Sequence, residues 1–85
     1  MKIEVEVNPY SPLEGIHLKW ERGYEITVMK EEDEVIIQAN KAGLISLANH
    51  LLTLAQDDVP VHEHVHLDED NSLEDGSLPI IIEKI

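Results

Sequence analysis

The chain has no cysteine and no phenylalanine, and its 85 residues include only one Trp and two Tyr. Without cysteine there is no disulfide framework and no thiolate-ligated metal. A reducing compartment fits, so a cytoplasmic protein is expected. With so few aromatics the core has to be aliphatic. Bases are scarce as well: six Lys and Arg stand against 18 Asp and Glu, for a net charge of −12. Nucleic-acid backbones and anionic membranes are bound through Lys and Arg, so neither partner is expected. A basic protein, in contrast, would be steered in by such a field, although the same charge also serves solubility. Long apolar runs are missing too. LPIII at 78–82 falls far short of the roughly 20 residues of a membrane helix. The opening MKIEVEVNPY has no signal-peptide core.

What is present reads as one domain, residues 1–85. A chain this short buries only about 60% of the surface it exposes when unfolded, and homodimerisation is an easy way to gain more. Alternation of aliphatic and polar residues predicts strands at 2–7 (KIEVEV), 16–20 (IHLKW) and 24–30 (YEITVMK), and the β-branched run VIIQAN predicts another at 35–40. The period then lengthens. In 41–56, Leu44, Leu47, Ala48, Leu51, Leu54 and Ala55 recur at three and four, which predicts an amphipathic helix burying its leucines. Asn40 is its expected N-cap, Gly43 weakens its first turn, and Val59-Pro60 lies beyond its end. Strands at 61–67 and 79–85, joined by an acidic loop, complete the chain. The expected fold is α+β: a single antiparallel sheet, elements in the order β-β-β-β-α-β-β, with the helix packed on one face.

VHEHVHLDED, residues 61–70, is the unusual stretch. On a strand, His62, His64 and His66 would share one face with Asp68 next in line, and Val65 and Leu67 would point into the core. Three such side chains are the raw material of a zinc site, and His50 on the helix is a more distant fourth. Polar residues at every second position are also what a half-exposed strand shows without any metal. Acids crowd the same region: Glu63, Asp68, Glu69, Asp70, Glu74 and Asp75, with no Lys or Arg between them. They would present a negative surface to a partner. Sharper motifs fail. From Asp68 onwards a calcium loop would need Gly where Leu73 stands and Glu where Pro79 stands. Neither a phosphate-binding loop nor a nucleophile with its base is evident, so no enzyme is expected.

The second half of the chain has a familiar cast. Asn40, Gly43, Leu44, Leu47, Ala48 and Leu51, then His64-Val65-His66-Leu67-Asp68, then Leu73, Gly76 and Ser77 resemble the immunity protein 32 family of bacterial polymorphic toxin systems. The likeness covers roughly residues 38–85. It implies a cytoplasmic protein that binds and neutralises a cognate toxin, and it brings no catalytic residue with it. A strongly acidic inhibitor suits a basic toxin such as a nuclease. Two functions from different classes therefore stand side by side. One is an immunity-type binding module that contacts its toxin through Glu63, Asp68, Glu69, Asp70, Glu74 and Asp75. The other is a small zinc protein, or metal-assisted hydrolase, built on His62, His64 and His66.

Overall fold

Ile26 and Val28 alternate with Thr27 and Met29, and this alternation sets the register of the first hairpin. In the computed structural model, which describes all 85 residues, β1 (Ile26–Glu31) pairs antiparallel with β2 (Glu34–Ala39), Ile26 opposite Ala39 and Val28 opposite Ile37. The acidic turn between them puts Glu32 in the left-handed region, at φ 55°. Helix α1 (Lys41–Leu54) follows at once. β3 (His64–Leu67) and β4 (Ile80–Glu83) then form a second antiparallel pair, Val65 opposite Ile82 and Leu67 opposite Ile80.

The element order is thus β-β-α-β-β in two separate two-stranded sheets. The expected single sheet of β-β-β-β-α-β-β order is wrong, for two physical reasons. First, residues 2–7 and 16–20 are extended but pair with no strand. One carbonyl in each, and backbone groups of the residues next to them, are met by side chains of α1 and of the turn after it. Asn49 Nδ2 donates to the Glu6 carbonyl (2.8 Å) and His50 Nε2 to the Lys19 carbonyl (3.0 Å). Ser46 Oγ accepts from Glu21 N–H (2.8 Å), and Gln56 bonds both Asn8 and Tyr10. Second, the outer edge of β1 is taken by an irregular segment of the acidic loop. Glu74 N–H donates to the Ile26 carbonyl, Leu78 N–H to that of Val28, and Val28 N–H to Ser77 Oγ.

These bonds turn α1 over. Its buried residues are Gly43, Ser46, Asn49, His50, Thr53 and Leu54, whereas Leu44, Leu51 and Leu52 are 57%, 51% and 49% exposed. Of the leucines expected inside, only Leu54 is buried, and Leu47 is half-buried against the core. The reason is that extended backbone without a ladder demands hydrogen-bonding partners, and the polar side of the helix supplies them. The core lies elsewhere. Ile26, Val28, Leu67 and Leu73 form one cluster, flanked by Trp20, Tyr24, Leu47 and Ile80. Leu54, Val59 and Val65 form a second, and Ile82 borders both. Lys84 fastens the end of the chain, its Nζ donating to the carbonyls of Gln56 (2.6 Å) and Val59 (2.7 Å).

The junction of β2 and α1 is tied by Asn40. Its Oδ1 accepts from Gly43 N–H (2.8 Å), the expected N-cap bond, and from Glu25 N–H (3.0 Å), while its Nδ2 donates to the Gly23 carbonyl. Gly43 is there for space. A Cβ on it would collide with the Glu25 carbonyl oxygen and lie 2.9 Å from Ile26 Cγ1. In an open helix Gly43→Ala would gain up to about 1 kcal/mol. Here the clash is with backbone, so the substitution is expected to destabilise by about 1–3 kcal/mol. Urea unfolding measures it, and a stabilised variant would contradict the close approach.

Candidate functional site

β3 carries two faces because its period is two. Val65 and Leu67 are buried and His64 and His66 are exposed, as the alternation requires. On the outer face His66 stands opposite Ile81 and His64 opposite Glu83, and the rings of His64 and His66 meet edge to face at 4.8 Å. His62 does not join them. It precedes the strand in a left-handed conformation, φ 77°, and its Nδ1 lies 3.3 Å from Glu83 Oε2. His64 Nδ1 donates to the His62 carbonyl (3.0 Å), which leaves only its Nε2 to face outward chemistry. No group of three or more His, Asp or Glu side chains is placed to hold a metal ion. His50 is buried in the interior, its ring edge-on to Trp20 at 4.1 Å. The zinc reading therefore finds two adjacent rings and no third ligand.

The acidic loop has a more definite construction. Asp68 Oδ1 accepts from the N–H of Asp70 (2.9 Å) and of Asn71 (3.2 Å), and the Asp68 carbonyl accepts from Ser72 and Leu73. Asn71 returns bonds to Asp68 N–H and to the His66 carbonyl. Glu69 Oε2 accepts from Gly76 N–H (2.8 Å) across the base of the loop, and Gly76 takes φ 85° there. Leu73 and Ser77 are buried and pin the loop to β1. Six acids were expected to act alike, and the structure divides them. Asp68 and Glu69 hold the loop together. The Asp70, Glu74 and Asp75 carboxylates are exposed and make no hydrogen bond or ion pair within the chain. Glu63 is half-buried beside β3, and its carbonyl accepts from Lys84 N–H, which extends the β3–β4 ladder.

A second surface was missed by the expectation that leucines point inward. It is the outer face of α1, bordered by Ile3 and Val5 in a shallow groove with Leu44, Ile45 and Ala48. One signal could have found it. Residues 42–56 contain no Asp, Glu, Lys or Arg in a chain where 28% of residues are charged. A helix without charges has no side marked for water.

No helix is long and apolar enough to cross a membrane. Comparison with curated proteins and with solved structures finds no match. The family model for immunity protein 32 matches residues 34–85, a span that contains β2, the turned helix, the histidine strand, the acidic loop and β4. With well over half its length matched, the chain belongs to the immunity protein 32 family.

Proposed function

We propose that this chain neutralises a cognate toxin by binding it rather than by catalysis, and that the loop of residues 68–78 is the main contact. Family membership supports the role. The observation that supports the place is the division of labour among the acids. Asp68, Glu69, Asn71 and Ser77 hold the loop backbone, while the carboxylates of Asp70, Glu74 and Asp75 are exposed and uncommitted. A loop fixed in advance loses little conformational freedom on binding, and its charge would steer a basic toxin towards it.

The test is the association rate with the product of the neighbouring gene, measured against ionic strength. Asp70→Asn, Glu74→Gln and Asp75→Asn together leave the loop's own bonds intact, so stability should change by less than about 0.5 kcal/mol per site. Association at low salt should slow roughly tenfold and lose most of its salt dependence. Equal rates for parent and triple variant at every salt concentration would move the contact away from this loop.

A further inference from the structure

The outer face of α1 carries a pattern that complements itself. Leu44, Ala48, Leu51 and Ala55 are spaced four, three and four, so they lie within one narrow strip of the helix, and all four are exposed. Ala55 keeps the helical conformation as the C-cap. The order along the strip is large, small, large, small. Reversed end to end, it reads small, large, small, large. Two copies crossing antiparallel about a twofold axis between positions 48 and 51 would set each leucine on an alanine: Leu44 on Ala55 of the second copy, and Ala48 on its Leu51. Alternating large and small residues is how facing helices interdigitate, and self-complementarity of one patch is what a twofold interface requires.

We infer that this face of α1 is the contact between two copies of the chain, paired as antiparallel helices. Charge supports a second copy over a basic partner. Residues 42–56 bear no acid, although the chain is at −12, so the two helices can meet here without opposing carboxylates of their own. The one base on the helix, Lys41, falls in this register beside Asp57 and Asp58 of the second copy, the first acids after the helix. A twofold axis keeps the same flank of each helix on the same side. Leu52 of the second copy is thereby carried to the groove between Ile3, Val5, Ile45 and Ala48. Half-exposed Leu44, Leu51 and Leu52 with their aliphatic neighbours offer on the order of 600 Å² per copy, which reaches the lower end of the roughly 1,200–2,000 Å² total typical of stable interfaces. The inference is independent of the toxin-binding role, which rests on the acidic loop of residues 68–78.

Sedimentation of the full chain through the micromolar range tests it. A dimer is expected, and it should tighten with added salt, because salt screens the repulsion between two acidic chains. The acidic-loop contact with a basic toxin would weaken under the same change. Leu51→Glu and, separately, Ala48→Glu should give monomers. Both sites are exposed in the single chain, and an unchanged far-ultraviolet circular dichroism spectrum identifies a folded monomer. Lys41→Glu should weaken the dimer by roughly tenfold, and adding Asp57→Lys and Asp58→Lys should restore it. A parent chain that stays monomeric throughout the micromolar range overturns the proposal, and so does a dimer indifferent to both Leu51→Glu and Ala48→Glu. Failure of the charge reversal to restore pairing overturns the antiparallel register.

Discussion

His50→Ala is expected to lower the stability of the fold by about 3–5 kcal/mol, and Leu51→Ala, one residue further on, by less than about 1 kcal/mol in the monomer. A reading of the helix by hydrophobicity gives the opposite order. His50 is fully buried, its ring edge-on to Trp20, and its Nε2–H satisfies the Lys19 carbonyl. Truncation leaves a cavity and an unpaired carbonyl. Leu51 is half exposed and leaves neither. Urea unfolding of the two variants at low protein concentration, where pairing of copies does not contribute, decides between them.

The same residue gives a pH dependence with a definite sign. Burial holds the His50 pKa below its ordinary value of 6.5, only partly offset by the bond to the Lys19 carbonyl, and its Nδ1 has no hydrogen-bond partner. Once the pH falls below about 6.5, the unfolded chain takes up a proton there that the folded chain refuses. The His50 contribution is therefore complete above pH 6.5 and declines as the pH drops towards the lower folded value. The unfolding free energy of the parent should slope downward in that window. His50→Gln should remove this part of the slope, and equal slopes would show that the ring is not shielded from water.

Ile26→Ala should be the most damaging single substitution in the sheets, at about 3–5 kcal/mol. Ile26 is fully buried in the cluster with Val28, Leu67 and Leu73, and its side chain is the floor against which Gly43 brings the helix down. An 85-residue chain holds about 4–13 kcal/mol in all, so the variant should be close to unfolding at 37 °C. Val35→Ala, on the exposed edge strand of the same hairpin, should change stability by less than about 0.5 kcal/mol. The midpoint of thermal unfolding compares them, and similar midpoints would mean that the core is centred elsewhere.

Where local pattern and tertiary demand agree, the structure was legible in the residues. The hairpin of β1 and β2, the N-cap at Asn40, and the buried Val65 and Leu67 beside the exposed His64 and His66 are all of this kind. The failures share a cause. Periodicity marks a leucine stripe on α1 but not which side of the helix meets the protein. That depends on the backbone of residues 6–21 needing donors and acceptors, which Ser46, Asn49, His50 and Gln56 provide over separations of 25 to 48 residues. Those bonds hold KIEVEV and IHLKW against the helix rather than in a ladder, and their alternation misleads. His62 fell out of the histidine row because a left-handed residue ends the alternation, and nothing in VHEHVHL marks it. The acidic loop was visible as charge, but the different tasks of Asp68 and Asp70 appear only with the hydrogen bonds.

The orientation of α1 underlies both the stability of the fold and the pairing of copies, and thiol labelling tests it most directly. The chain has no native cysteine, so single substitutions report without background. Ser46→Cys is nearly isosteric, and Leu51→Cys sits on the opposite side of the helix. At protein concentrations low enough to keep the chain monomeric, Leu51→Cys should react with a small thiol reagent almost as fast as an unstructured peptide. Ser46→Cys should react at least a hundredfold more slowly, since it is reached only through opening of the fold. Fast labelling at position 46 with protection at position 51 would mean that the leucines face inward and that the account of this helix is wrong.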